Sequence, residues 1–323
     1  MLKRTFLCCF LLLAGCGARK DAEVRIAVGG QGTQVNLPAM VAQELGFYKE
    51  AGLNVQLTEF PGGAKALEAV MGGSADVVCG SYDHTIQMAA QGKDLRAFVA
   101  MLNFPGMVLV SPTVSTIEEL RGKTVGVTTL GSGTHMLLNY LLAVHGMKPD
   151  DVSNAAIGSS ATSVGAVIHN KVDAAVMTEP ALAMVRKQMP GLHTLADMET
   201  AEGVRSVFGS ERYVATALYS RSEWVEKNPD IAKRLAAAII KTLAWLRAHK
   251  PEEIREKLPA SFRTEDAGMD VEVLRTTQAM LSADGRFTQE AVEAVHKVVS
   301  TSLESVRKAK IDLGKTYTNE LIP

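Results

Sequence analysis

The residues best suited to hold a ligand form one loop rich in glycine and hydroxyl groups. This loop, Leu130-Gly131-Ser132-Gly133-Thr134, follows a strand-like run and precedes a helical one. Glycines let backbone amides approach a ligand, serine and threonine supply hydroxyl groups, and the first turn of a helix offers unpaired N–H groups with positive partial charge. The loop therefore predicts a binding site for an oxygen-rich group at Gly131, Ser132, Gly133 and Thr134. The alternative is an ordinary strand-to-helix turn in which Ser132 caps the helix.

Further candidate site residues follow other strand-like runs. Two interpretations stay open for three of these residues. Tyr82 either caps a ligand or packs in the core, and Gln31 either bonds to a ligand or lies in a solvent-facing turn. Glu179 either meets a cationic group or caps the helix begun by Pro180. Apart from Lys65, these loops hold no Arg or Lys, so we expect a carboxylate, a sulfonate or a neutral heteroaromatic ligand held by dipoles and hydroxyl groups. The candidates are Gln31, Gly32, Thr33, Gly62, Gly63, Ser81, Tyr82, Ser159, Ser160 and Glu179.

Motifs for catalysis, metals and nucleotide cofactors are missing from the sequence. The seven histidines include no H-x-x-x-H pair, and Ser132 lies in G-S-G rather than in the nucleophile motif G-x-S-x-G. The loop Gly30-Gln31-Gly32-Thr33 lacks the G-x-G-x-x-G spacing of dinucleotide sites. With 34 Lys+Arg against 35 Asp+Glu in 323 residues, the chain has no basic excess for nucleic acid. We therefore expect no catalytic residue, metal, cofactor or nucleic-acid partner.

The order of predicted strands and helices indicates how the loops are positioned. Strand-like runs at 24–30, 54–60, 75–80 and 95–102 alternate with helical patterns, and a second series of the same kind begins at 124–128. This alternation predicts an α/β fold in which helices cover parallel sheets. Loops that follow parallel strands meet at one edge of the sheet, where ligands of such folds bind.

The N-terminus has the pattern of an export signal. Lys3 and Arg4 precede the apolar run 5–15, which is too short to span a bilayer and is typical of a secretory signal peptide. The next residues, Leu13-Ala14-Gly15-Cys16, resemble the bacterial lipobox, which implies cleavage before Cys16 and lipidation of that cysteine. Residues 16–23 would then form a tether, and the protein would be lipid-anchored to a bacterial membrane in the cell envelope. An ordinary signal peptide with a chance cysteine is the alternative.

Loss of the signal peptide changes the cysteine content. Cys8 and Cys9 leave with it, so that Cys79 is the one cysteine left besides the lipidated Cys16. An internal disulfide is then impossible. Cys79 lies in the apolar run DVVCG, which predicts a buried, unreactive thiol.

Several weak motifs occur in the order found in one protein family. Their order and spacing resemble the substrate-binding proteins of ABC importers, in the nitrate/sulfonate/taurine and thiamine-precursor branch. The resemblance implies the type II periplasmic binding protein fold, in which two lobes, each a sheet flanked by helices, are joined by two crossings. After the lipobox, the motifs are VRIAVGGQGTQVNLPAMVAQELGFYKEAGLNVQL (24–57), PGGAKALEAVMGGSADVV (61–78), STIEELRGKTVGV (115–127), LGSGTHMLLNYLL (130–142) and NKVDAAVMTEP (170–180).

The resemblance also implies boundaries and a function. Lobe one would comprise 24–110 and 218–323, and lobe two 111–217, with crossings near Ser111-Pro112 and Ala217. A monomer would capture a small organic solute between the lobes and deliver it to a membrane permease and its ATPase, with no chemistry at the site. One alternative is a pyrimidine-synthase-like enzyme on the same fold, although the cysteine-rich segment of that enzyme is missing here. The other is a lipoprotein that senses a ligand without transporting it.

Overall fold

A computed structural model describes residues 21–30 and 32–323. The predicted signal peptide, the lipobox with Cys16, and Gln31 lie outside the described residues. The described part of the chain forms two five-stranded sheets flanked by helices. Within it, no helix combines the length and the apolar character needed to cross a membrane.

The first sheet has the strand order β2-β1-β3-β10-β4. The first four strands of the chain run parallel, as predicted, whereas β10 runs antiparallel between β3 and β4. The sheet is therefore mixed rather than purely parallel. Its strands are β1 (Ala22–Gly29), β2 (Leu53–Phe60), β3 (Val77–Ser81), β4 (Leu95–Ala100) and β10 (Thr216–Arg221).

The second sheet has the order β7-β6-β8-β5-β9. Strand β6 pairs in parallel with β7 and β8, and β5 pairs antiparallel with β8 and β9. We call each sheet with its flanking helices a lobe. The strands of lobe two are β5 (Met107–Ser111), β6 (Thr124–Val127), β7 (Ser153–Ala156), β8 (Ala174–Thr178) and β9 (His193–Asp197).

Strand pairing corrects the lobe boundaries expected from the sequence. A boundary after residue 110 assigns β5 to lobe one, but β5 pairs only with strands of the second sheet. Likewise, Thr216 and Ala217 pair with β3 of the first sheet. The connections between the sheets therefore run through 101–106 and 198–215. They lie side by side, because Gly106 N donates to Met198 O and Tyr213 N donates to Asn103 O.

Helices cover both sheets, and one helix contacts both lobes. Helix α13 packs against α4 of lobe one and α5 of lobe two. Lobe one contains α1 (Leu37–Glu44), α2 (Phe47–Glu50), α3 (Gly63–Met71), α4 (Asp83–Ala89), α9 (Ser222–Lys227), α10 (Pro229–Ala248), α11 (Pro251–Glu256), α12 (Ala267–Met280), α13 (Gln289–Ser302) and α14 (Glu304–Lys308). Lobe two contains α5 (Gly133–Val144), α6 (Ala161–Ile168), α7 (Ala181–Gln188) and α8 (Ala201–Phe208).

The core follows from the two-residue period of the strands. Along β5, Leu109 belongs to the larger apolar cluster, which also surrounds the first sheet and includes Leu138 of α5. Its neighbours Val108 and Val110 face the other way, into a smaller cluster with Val185 of α7. Alternate residues of a strand point to opposite faces, so a strand such as β5, whose first four residues are all apolar, must be covered by helices on both sides.

Candidate functional site

The two lobes meet around a small cavity of about 30 Å³. This is room for about one water molecule, so a larger solute needs the lobes further apart than they are here. No charged side chain is among the lining residues of the described chain, as expected from the loops. They are Gly29, Gly30, Thr33, Val35, Gly63, Gly80, Ser81, Met107, Thr128, Ser132, Gly133, Thr134, Thr178 and Thr216.

Three hydroxyl groups beside the N-terminus of α5 bind one another. The Thr128 Oγ1 lies 2.8 Å from Ser132 Oγ and 2.9 Å from Thr134 Oγ1, and the last two are 2.8 Å apart. Thr134 Oγ1 also accepts a hydrogen bond from Thr128 N. Ser132 occupies the N-cap position of α5, but its hydroxyl donates to Thr129 O instead of capping the helix. The first-turn N–H groups of α5 are therefore available to a ligand.

Thr178 supplies a hydroxyl group that the protein itself does not use. The residue is 3% exposed and lines the cavity, yet its Oγ1 has no hydrogen-bond partner. By contrast, Thr33 Oγ1 donates to Gly30 O and Thr216 Oγ1 donates to Val35 O. An unpaired buried polar group costs free energy, and a ligand that pairs with it recovers that cost. A ligand in the cavity can thus supply the partner that the Thr178 hydroxyl lacks.

Glycine loops of both lobes are in direct contact at the cleft. A Cβ atom on Gly62 would lie 2.5 Å from Thr129 Oγ1, and one on Gly133 would lie 2.7 Å from Ser81 Oγ. A Cβ on Gly131 would lie 3.7 Å from Ala64 Cβ. Because glycine has no Cβ atom, the two loops can approach this closely. The glycines at the cleft therefore permit closure of the lobes.

Two histidines hold the peptide groups of Gly131. The Gly131 N donates to His135 Nδ1 at 3.0 Å within lobe two, and Gly131 O lies 3.2 Å from His84 Nε2 of lobe one. Burial lowers the pKa of His135, which favours the neutral ring that can accept this bond. The loop at the cavity therefore gains no cation from His135 at neutral pH.

The cavity unites six of the residues predicted from sequence: Thr33, Gly63, Ser81, Ser132, Gly133 and Thr134. Gly62 and Gly131 lie beside it at the contact between the lobes. Gly32 does not line the cavity, and a Cβ atom placed on it would lie 3.0 Å from Ser261 O.

Tyr82 lies in the core and does not face the cavity. It is fully buried, its hydroxyl is 2.5 Å from Thr316 Oγ1, and its ring packs at 5.5 Å against Phe287. The structure therefore places Tyr82 as the packing interpretation describes, away from the cavity. Burial also raises the pKa of Tyr82, so its hydroxyl stays protonated.

Ser159 and Ser160 line a separate, open groove of about 510 Å³. Pro61 of lobe one forms part of the same groove. The structure therefore does not bring these two serines together with the hydroxyl groups of the cavity.

Glu179 belongs to a buried acidic pair outside the cavity lining. Its Oε2 accepts a hydrogen bond from Ala183 N at 2.9 Å, which is the helix-capping role considered from sequence. Arg186 lies 3.7 Å from Glu179 Oε1 and 3.8 Å from Glu199 Oε2, so two buried carboxyl groups share one half-exposed cation. Burial and the neighbouring Glu179 raise the pKa of Glu199 to about 8. At neutral pH, Glu199 is therefore mostly protonated.

Sequence reasoning missed several residues of this region. Thr128, Thr178 and Thr216 line the cavity, and His84 contacts Gly131 beside it. Thr128 and Thr178 end or follow predicted strands, so the rule that located the other loops also covers them. Thr216 gives no such signal, because it reaches the cavity as the first residue of the antiparallel β10.

The described chain offers neither a cluster of metal-ligating side chains nor an exposed thiol. Residues 21–30 and 32–323 contain no group of three His, Cys, Asp or Glu side chains able to hold a metal ion. Cys79 is buried, and burial raises the pKa of its thiol. The burial of Cys79 agrees with the sequence prediction, and the raised pKa disfavours the thiolate, which is the reactive form.

Comparisons with known proteins agree with this architecture. A protein of Bordetella bronchiseptica RB50 has a solved structure that is 32% identical, with a TM-score of 0.88 over 94% of this chain and 96% of that one. The alkanesulfonate-binding protein of Xanthomonas axonopodis pv. citri, solved with MOPS, is 17% identical, with a TM-score of 0.72 over 94% and 100% of the two chains. At this lower identity the likeness concerns the fold.

Sequence relatives carry two kinds of name. A Brucella abortus protein, provisionally named a binding protein, is 26% identical over 277 residues, which is 84% of this chain and 82% of that one. A 4-amino-5-hydroxymethyl-2-methylpyrimidine phosphate synthase of Saccharomyces cerevisiae is 24% identical over 161 residues, or 49% and 46% of the two chains. The family described as NMT1/THI5 like matches residues 34–254. The chain therefore belongs to the NMT1/THI5-like family and has the two-lobed fold of the periplasmic binding proteins.

Proposed function

We propose that this protein is the solute-binding component of an ABC importer and holds a small organic solute between its lobes for transfer to a membrane permease. The observation that carries the proposal is the cavity between the lobes, which is lined by hydroxyl groups of both and contains the unpaired Thr178 Oγ1. The names of the Brucella and Xanthomonas proteins support it. The protein would act as a monomer, with its hinge in 101–106 and 198–215.

The lining favours a ligand that is bound by dipoles rather than by ion pairing. Hydroxyl groups and the N-terminus of α5 suit a carboxylate, a sulfonate or a heteroaromatic ring with acceptor atoms. Lys65, the one cation within the predicted loops, pairs with Glu68 on the surface. The site would therefore comprise Thr33, Ser81, Thr128, Ser132, Thr134 and Thr178.

A thermal-shift panel tests the proposal. The panel contains nitrate, ethanesulfonate, short carboxylates and 4-amino-5-hydroxymethyl-2-methylpyrimidine. A ligand that binds only the folded state at 100 times its Kd adds about 2.7 kcal/mol to the free energy of unfolding. We expect one class to raise the Tm by roughly 5 °C. No shift with any class, together with no co-purified solute in native mass spectrometry, would contradict solute binding.

A Thr178→Val variant tests whether the cavity is the site. Valine has nearly the same shape and removes a hydroxyl that has no protein partner, so the Tm of the unliganded protein should stay the same or rise. Solute affinity should fall roughly 3- to 10-fold, the equivalent of one hydrogen bond. Thr134→Val should behave differently in stability, because its hydroxyl accepts a hydrogen bond from Thr128 N and the loss of that bond should lower the Tm. Unchanged affinity in Thr178→Val would place the site elsewhere.

We also propose that Cys16 carries a lipid anchor at the cell envelope. In cells, the full-length protein should incorporate labelled palmitate and sediment with membranes, because several acyl chains together give firm anchoring. Cys16→Ser should lose the label, whereas Cys9→Ser, in the predicted signal, should keep it. Equal labelling of both variants would contradict the lipobox.

The yeast relative raises the alternative of a pyrimidine synthase. The cysteine content argues against this alternative, because the enzyme has a cysteine-rich segment, whereas the buried Cys79 is the one cysteine within the described residues. Formation of a pyrimidine product by the purified protein would favour the enzyme over the binding protein.

A further inference from the structure

We propose that His84 holds the two lobes closed over the cavity, a positioning role in solute binding that rests on the proposed function. His84 lies in α4 of lobe one and is 1% exposed. Its Nε2 is 3.2 Å from the carbonyl oxygen of Gly131 in lobe two. Because Ser132 and Gly133 follow Gly131 and line the cavity, this contact joins the lobes directly at the site.

The partners of His84 determine which ring nitrogen carries the proton. A carbonyl oxygen can only accept, so Nε2 must be the donor to Gly131. On the other side of the ring, Nδ1 lies 2.6 Å from the hydroxyl of Tyr219 in β10. Burial raises the pKa of Tyr219 well above its ordinary value, so the hydroxyl remains protonated and donates to Nδ1. Tyr219 thus orients the imidazole with its N–H group toward lobe two.

The imidazole also supports the second glycine loop. A Cβ atom on Gly63 would lie 3.0 Å from His84 Cε1, so the backbone of that loop rests on the ring. His84 therefore contacts the glycine loops of both lobes. When the lobes separate, Nε2 and Gly131 O can bond only to water. The contact consequently stabilises the closed form and leaves the open form unchanged.

Two other polar contacts between the lobes differ in kind. Gln34 N donates to Glu179 O at 3.0 Å, a backbone contact that substitution of side chains does not remove. Lys187 pairs with Asp266 on the surface, where ion pairs contribute little. Among these contacts, His84 is the one made by a buried side chain.

Small-angle X-ray scattering of the purified, ligand-free protein tests the role. Loss of one hydrogen bond should shift the ratio of closed to open molecules roughly 3- to 10-fold toward open in His84→Ala. Its radius of gyration should increase. His84→Gln should restore compactness in part, since the glutamine amide can donate to Gly131 O. In wild type, ¹⁵N-histidine NMR should show the His84 proton on Nε2.

The control is His145→Ala, which removes a histidine bonded to Glu118 within lobe two. It should scatter like wild type. The proposal would be overturned if wild type, His84→Ala and His84→Gln gave identical scattering curves, whether those curves correspond to the open or to the closed form. It would also be overturned if His145→Ala opened the lobes as much as His84→Ala does. If His84→Ala does not fold, Tyr219→Phe replaces it, and scattering equal to wild type would again overturn the role. The scattering experiment uses no solute. Its outcome therefore does not depend on whether the thermal-shift panel finds a ligand, and the two proposals can fail separately.

Discussion

The Gly62→Val variant should bind solute roughly 5- to 150-fold more weakly than wild type while remaining folded. A Cβ on Gly62 would lie 2.5 Å from Thr129 Oγ1 and 2.9 Å from Thr129 Cγ2 across the cleft. Both branches of Thr129 are in the way, so the closed form must distort, which costs about 1–3 kcal/mol. Gly62 itself has φ −171° and ψ 169°, an extended conformation that valine adopts without strain. The cost therefore falls on closure and not on folding.

Gly165→Val is the matched control, because nothing lies within 4 Å of a Cβ placed there. Calorimetry with the solute identified by the thermal-shift panel measures affinity, and small-angle scattering measures the opening of the ligand-free lobes. We expect Gly62→Val to be more open than both wild type and the control. A closed Gly62→Val protein with wild-type affinity would show that the glycine contact does not limit closure.

Glu199→Gln should stabilise the protein above pH 7 and have little effect near pH 4. The folded-state pKa of Glu199 is about 8, against an ordinary value of 4.5. A raised pKa means that the folded state holds its proton more tightly than the unfolded chain does. The resulting stability is complete below about pH 4.5 and is lost as pH rises toward 8. Glutamine is neutral at every pH, so it avoids this loss.

Melting curves between pH 4 and 9 measure the effect. We expect the Tm of Glu199→Gln to exceed that of wild type by roughly 5 °C at pH 8.5, since the shift corresponds to a few kcal/mol. Glu223→Gln serves as the control, because Glu223 is exposed and its pairing with Lys227 lowers its pKa rather than raising it. Parallel melting profiles of wild type and Glu199→Gln would contradict the raised pKa.

The sequence predicted the strands and the glycine loops because both are local signals. β-rich runs that end in glycine are visible within a few residues, and they located Thr33, Gly63, Ser81 and the loop at 131–134. The carboxyl-edge rule then brought these residues together correctly, since it holds for any parallel sheet.

Properties that depend on distant partners were not predictable in this way. His84 acquires its role from Gly131 and Tyr219, which are 47 and 135 residues away. Tyr82 is held by Thr316, 234 residues away. The expected boundary after residue 110 placed β5 in the wrong sheet for a similar reason. Its sequence MVLVS, apolar apart from the final serine, fits the interior of either sheet. Only the pairing with β8 and β9 shows to which sheet the strand belongs. Burial of Glu199 likewise results from tertiary packing alone.

The position of β10 restricts the order in which the chain can fold. This strand separates β3 from β4, so without it β4 has no neighbour in the first sheet. During synthesis, all of 107–215 must emerge before β10 can insert. Pairing of strands so far apart in sequence is slow, because the intervening chain must first be brought together. An intermediate with a finished second sheet and an incomplete first sheet is therefore expected on the folding pathway, and its unpaired β3 edge is where aggregation would begin.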